Sequence, residues 1–323
     1  MSSSPVSYPL PVPNATKAAP PAELSEKEQG LYNKVYEHFT QESYLLPDSE
    51  DGTLKEQEKM WLSYECLLRY LRAVKWNSAE EAIQRLETTL KWRRDYGLYD
   101  TITPDSVQPE ALTGKEFLFG FDTHGRPAQY MLPSRQNTEE SPRQMQFTVW
   151  YIERTIDLMG PGVETLALMI DYADKAKNPS LATARTFLAI FQTHYPERLG
   201  LALILNVPWL LNAFYKLVTP FIDPVTRTKM RFNPVATADG LIFELDQLAK
   251  SWGGEHEFEY KHEEYWPKLV EMCEARRAAL FEIWKGMGGT IGLREYDMKM
   301  KLASQKDEPA DAALAQASEA VEA

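Results

Sequence analysis

Two continuous apolar runs of strand length, TLALMIDYA at 165–173 and LGLALILN at 199–206, flank one helix-patterned stretch. No other feature constrains the fold as much. A strand apolar on both faces needs cover on both faces, and helices returning over a parallel sheet supply it. The intervening SLATARTFLAIFQTHY opens on Ser180 as a cap, and Pro208 follows the second run at a favoured first helical position. Strand, helix, strand, helix is the order of an α/β domain.

Upstream, KEFLFGFD and PAQYML around the turn residues THG predict a hairpin. A helix follows over RQMQFTVWYIERTIDLM, with Met145, Val149, Ile152, Ile156 and Met159 on one side. Residues 59–76 place Met60, Trp61, Tyr64, Leu67, Leu68, Leu71 and Val74 at helical spacing. The next helix has Ser78 and Glu81 in capping-box spacing and Gly97 as its stop, and a weaker helix lies near 26–40. Downstream, Asp223 and Pro224 open a short helix, LIFELDQLAKSWGG reads as a helix stopped by Gly253 and Gly254, and a last long helix runs from Pro267 to about Lys285. The expected organisation is a helical lobe at 25–100, an α/β lobe at 101–265 and a C-terminal helix at 266–300. Residues 1–24, rich in Pro, Ser and Ala, and the polar, acidic residues 301–323 read as disordered tails.

A formal net charge of −12 argues against nonspecific binding of nucleic acid, which needs a basic surface. Cys66 and Cys273, the only cysteines, support neither a disulfide framework nor a cysteine metal site, so a reducing, cytoplasmic setting is expected. No secretory leader, myristoylation glycine or prenylation box is read at the ends. The apolar block 199–211 is short of the roughly 20 residues that span a bilayer and is broken by Asn206 and Pro208.

Enzyme chemistry is hard to place. KGMGGTIG follows a helix, lacks the Lys-Ser/Thr of a phosphate loop and reads as a helix stop. His256 and His262 fit no zinc spacing, G-x-S-x-G is missing, and His194 reads as a helix-end histidine without a nucleophile. The expectation is a non-enzymatic protein without metal or cofactor. One segment stands apart: PWLLNAFYKLVTPFIDP, 208–224, is apolar around most of its circumference. Such a helix is either fully buried, or it covers an apolar cavity and can meet a bilayer.

The motifs CLLRYLRAVKW, TLKWRRDYG, FDTHGRP, MIDYADK, THYPERLG, LILNVPW, PFIDPVTRTK and WGG occur in that order over roughly residues 59–270. Together they resemble the CRAL-TRIO lipid-binding family, and within it the fungal secretory-type phosphatidylinositol transfer proteins. ECLLRYLRAVKW, SRQNT, QTHYPERLG and EYWPKLVE are similar to the subgroup associated with pleiotropic drug resistance. The resemblance implies a helical lobe packed on an α/β lobe, with a mixed-sheet floor, a lipid cavity and a helical gate.

It also implies roles. Glu197 of YPER and Lys229 after D-P-x-T, with Thr226, would organise a phosphoinositol head, and Asp122 and Arg198 match further polar positions. Lys75 keeps one member of a basic pair whose arginine is replaced by Val74. Leu118, Gln129, Ile152, Leu166 and Leu168 stand where polar groups hold phosphatidylcholine in the founding proteins. Hence the expected cargo is phosphatidylinositol, with little phosphatidylcholine and room for a second apolar ligand such as a sterol. The gate would run over 208–230, with Trp209, Phe214 and Phe221 apolar and Lys216, Arg227 and Arg231 near anionic membranes. The implied location is peripheral, on internal membranes such as endoplasmic reticulum, lipid droplet or Golgi. Other implied roles are a regulator presenting phosphatidylinositol to a lipid-modifying enzyme, and a sterol or isoprenoid carrier.

Overall fold

The computed structural model describes residues 5–13, 19–174, 180–207, 219–233 and 242–307. The N-terminal lobe contains α1 (Glu26–Thr40), α2 (Glu56–Trp61), α3 (Tyr64–Ala73) and α4 (Ala79–Asp95), packed around Val35, Phe39, Leu62, Leu67, Leu71, Leu86 and Leu90. The periodic stretch 59–76 is therefore two helices. Ser63 breaks it, because its hydroxyl accepts from the Cys66 amide and starts α3 afresh. Ser78 caps α4 through the Glu81 amide, and Gly97, at φ 79°, turns the chain after α4.

After α5 (Pro104–Ala111) come β1 (Glu116–Phe121), β2 (Pro127–Met131), α6 (Pro142–Asp157), β3 (Leu166–Asp171), α7 (Leu181–His194) and β4 (Leu199–Leu205). Then follow α8 (Pro224–Thr228) and β5 (Met230–Phe232). The sheet order is β1-β2-β3-β4-β5, with β1 antiparallel to β2 and the other neighbours parallel. Met230 and Arg231, which close the helix-patterned DPVTRTKMR, are strand instead: Met230 to Phe232 pairs with Ala202 to Ile204 of β4.

Helix α6 lies over one face of β1 and β2, where the Thr148 hydroxyl donates to Glu116 at 2.7 Å. On the opposite face Phe117 and Tyr130 stack, and Phe258, Tyr260 and Trp252 close around them.

Three expectations need correction. LIFELDQLAKSWGG is not an α-helix in its described part, which holds two 3₁₀ turns, Leu245–Gln247 and Lys250–Trp252. Tertiary contact overrides the helical pattern: a Cβ on Gly120, at φ 72°, would sit 1.9 Å from the Gln247 carbonyl oxygen, so the segment runs with its backbone against edge strand β1.

Second, residues 5–13 are docked and not a free tail. Val6 donates to Glu257 O at 2.8 Å and accepts from the Glu259 amide at 3.0 Å, while Leu10 and Val12 pack on the core. Third, the C-terminal region is two helices, α9 (His262–Gly286) and α10 (Glu295–Asp307), so helix continues past residue 300. Glu65 of α3 caps α10 by accepting from the Glu295 and Tyr296 amides, and Met298 and Leu302 bury against Leu280 and Trp284. No helix among the described residues is long and apolar enough to cross a membrane.

Candidate functional site

The turn between α7 and β4 is Tyr195, Pro196, Glu197, Arg198. Glu197 adopts φ 59°, a left-handed conformation that costs a non-glycine residue about 1–2 kcal/mol. It sets neighbouring side chains apart, with the Glu197 carboxylate toward Lys229 and Arg198 into the interior. Glu197 Oε2 and Lys229 Nζ are 3.8 Å apart. Lys229 is the C-cap of α8, and its carbonyl accepts from the Ala202 amide at 2.9 Å, so β4 holds both partners. Thr226 lies one turn before Lys229, and Asp223 caps that short helix through the Val225 amide at 2.8 Å. An ion pair this long and half-exposed contributes well under about 1 kcal/mol. The pair therefore holds neither side chain firmly.

The other polar candidates do not join this pair. Arg198 is only 8% exposed and donates to the Glu164 carbonyl at 3.0 Å, in a buried cluster where Arg69 bridges Glu164 and Glu295. Burial and the Arg69 charge push its pKa down. Asp122 organises the hairpin turn, accepting from the His124 and Arg126 amides, each at 2.9 Å, with Arg126 Nη1 3.4 Å away. That Asx geometry accounts for its burial without a ligand. Lys75 is exposed at the end of α3, with φ 55°. Among the described residues no hydrogen bond or ion pair links it to Glu197 or Lys229.

The apolar candidates do come together. Leu118 of β1, Gln129 of β2 and Leu168 of β3 are successive partners in register and share one face. Ile152 of α6 and Leu166 of β3 meet in one cluster with Val149, Met159 and Tyr195. Farther along this face Met131, Leu168 and Ile170 are only half-buried, as are Phe187, Ile190 and Phe191 of α7. An apolar sheet face and an apolar helix are thus both only partly buried where they meet. Phe221 is 43% exposed, under the Arg185 guanidinium at 4.3 Å. Trp209, Phe214 and Lys216 lie outside the described residues.

One polar group on this face escaped the sequence reading. Glu116, in the same facing row as Leu118, is buried and accepts from Thr148 at 2.7 Å and from Gln129 Nε2 at 3.1 Å. Burial pushes its carboxyl up to about 7. Its position in the alternation of KEFLFGF was the available signal. His194 is stacked on Trp92 at 4.1 Å and bonded to Thr89, and burial lowers it to about 4. Among the described residues no group of three or more His, Cys, Asp and Glu is placed to hold a metal.

Residues 112–254 match the CRAL/TRIO domain and residues 31–88 the CRAL/TRIO N-terminal domain. The chain is 40% identical over 301 residues to the phosphatidylinositol transfer protein PDR17 of Saccharomyces cerevisiae, covering 85% of this chain and 84% of that one. It is 44% identical over 299 residues to a CRAL-TRIO domain-containing protein of Schizosaccharomyces pombe, covering 90% of this chain but only 29% of the other's length. Among solved structures, Sfh5 shares the fold at TM-score 0.51 and 17% identity, over 74% of this chain and 91% of that one.

Proposed function

We propose, from the premise that this chain belongs to the CRAL-TRIO family, that it binds phosphatidylinositol and carries it between membranes. The observation that carries the reading is the loosely held Glu197–Lys229 pair, at 3.8 Å, with Thr226 one turn before Lys229 on α8 and Lys229 tied to β4 at Ala202. Lys229 and Thr226 donate to the phosphodiester, and Glu197 accepts from inositol hydroxyls. The family name of PDR17 and its identity to this chain support that cargo.

A diacyl lipid carries about 30 methylenes, worth about 25 kcal/mol of burial at roughly 0.8 each. Release into water is therefore prohibitive. The carrier docks and exchanges hydrocarbon for hydrocarbon, leaving selectivity to the head-group bonds. Phe221, Val225 and Phe232 are exposed apolar groups interleaved with exposed Arg227 and Arg231, a composition suited to an anionic bilayer surface at the end of the expected gate. The lipid is cargo, and no catalytic step is invoked.

The test is uptake of phosphatidylinositol from vesicles by the purified chain and by Lys229→Ala. One lost charge-assisted bond, about 1.5–3 kcal/mol, lowers uptake roughly 10- to 150-fold. Undiminished uptake by a folded Lys229→Ala variant would show the head-group assignment to be wrong.

A further inference from the structure

Two side chains of α7, Arg185 and Gln192, stand about two turns apart and both reach the segment Phe221 to Asp223. Arg185 lies over the Phe221 ring. Gln192 makes the closer attachment: its Nε2 donates to the Phe221 carbonyl at 2.8 Å, and its Oε1 accepts from the Asp223 amide at 2.9 Å. One side-chain amide thus satisfies a backbone carbonyl and a backbone N–H two residues apart. The amide's orientation is determined, since a flipped group would set donor against donor and acceptor against acceptor.

What hangs from each side of this attachment matters. Asp223 caps α8, which ends at Lys229. Glu197 follows Gln192 along the chain through the turn after α7. The base is itself gripped by the N-terminal lobe: Arg85 donates to the Gln192 carbonyl at 2.9 Å, Tyr70 donates to the His194 carbonyl at 3.2 Å, and Trp92 stacks on His194.

We infer that Gln192 is a positioning residue that sets Lys229 against Glu197 by pinning the chain that enters α8, without touching the lipid. The inference rests on the head-group reading of that pair. Arg227 Nε, bonded to the Ile222 carbonyl at 2.9 Å, and the Asp223 cap make α8 and its entry one unit, so two bonds from Gln192 suffice to place it.

The test uses the full chain with Gln192→Leu, which removes both bonds, and Gln192→Glu, which keeps the acceptor for Asp223 but sets a carboxylate against the Phe221 carbonyl. Hydrogen exchange is followed by mass spectrometry on peptides spanning 221–229 and 199–205. Exchange at 221–229 should rise about tenfold with β4 unchanged. Unchanged exchange at 221–229 in both variants overturns the inference, and if the Leu variant does not fold, the Glu variant decides.

Phosphatidylinositol uptake from phosphatidylinositol–phosphatidylcholine vesicles should fall with Gln192→Leu, and the double variant with Lys229→Ala should be no worse than Lys229→Ala alone. Additive losses overturn the positioning role. Should the wild-type chain take up no phosphatidylinositol, the head-group reading fails, and the exchange measurement alone then supports or overturns the attachment.

Discussion

Arg93 and Glu153 meet in a two-pronged pair, Nη1 to Oε1 at 2.8 Å and Nη2 to Oε2 at 3.2 Å, that ties α4 of the helical lobe to α6 of the sheet lobe. Tyr195, at the start of the turn that carries Glu197, donates to the same carboxylate at 2.7 Å. The lobe junction and the candidate head-group turn therefore share one largely buried anion.

Breaking that pair should be costly. Arg93→Ala leaves Glu153 buried without its cation, a change worth about 3–5 kcal/mol. Burial raises the Glu153 pKa, but Arg93 and Tyr195 outweigh it and hold the carboxyl at about 2. A depressed carboxylate stabilises the fold above its unfolded pKa, and that contribution is lost as pH falls from about 4.3 toward 2. The difference in Tm between wild type and Arg93→Ala should be large at neutral pH and narrow across this acid window. A difference that does not change with pH would rule this out.

Glu116 has the opposite sign. Its folded pKa, raised to about 7 by burial, exceeds its unfolded value, so the folded state holds the extra proton. Stability is then lost as pH rises from about 4.3 through 7. Glu116→Gln, which stays neutral, should flatten that slope in urea melts between pH 5 and 8 and gain on the wild type above pH 7. Parallel curves for the two proteins would mean that Glu116 is ionised throughout.

Gly120 offers a purely steric test. Its φ of 72° and the 1.9 Å that would separate a Cβ from the Gln247 carbonyl oxygen leave no room for a methyl group. Gly120→Ala should lower stability by more than about 2 kcal/mol, read from the urea midpoint, because a left-handed alanine and a displaced backbone add. A loss below about 0.5 kcal/mol would show that the segment 242–256 does not depend on this contact.

These effects divide along what one chain of letters can encode. The apolar runs around Leu168 and Leu203 and the caps at Ser78 and Ser180 are local, and they announced β3, β4, α4 and α7. The motif order announced the family. What lay beyond reach was set by partners distant in sequence. LIFELDQLAKSWGG carries a helical pattern, yet the carbonyl of Gln247 lies against Gly120, over a hundred residues upstream. Arg198 follows Glu197 directly, yet the left-handed turn at Glu197 sends it into a cluster built from α3 and α10. Of the polar candidates, Glu197, Thr226 and Lys229 came from the motif resemblance, and Glu197 and Lys229 meet because α8 and the α7–β4 turn are both short and anchored on β4. Lys75 and Asp122 came from the same resemblance, and the geometry gives Asp122 a turn-forming task.

Head-group selectivity is the last consequence. Leu118, Gln129 and Leu168 stand side by side across β1, β2 and β3, and the one amide among them is already committed to Glu116 and Thr155. A phosphocholine group entering here would give up water and find side chains of leucine. Each polar group buried without a partner costs about 1–3 kcal/mol, so two or three such groups disfavour phosphatidylcholine by at least about thirtyfold. Protein incubated with vesicles of equal phosphatidylinositol and phosphatidylcholine, then reisolated, should carry phosphatidylinositol with only traces of phosphatidylcholine by mass spectrometry. Leu166→Ser combined with Leu168→Thr returns hydroxyls to the face and should raise the phosphatidylcholine fraction while phosphatidylinositol uptake, governed by Lys229, stays within about twofold. Equal loading of both lipids by the wild-type chain would exclude a selective apolar face and a discriminating Glu197–Lys229 pair alike.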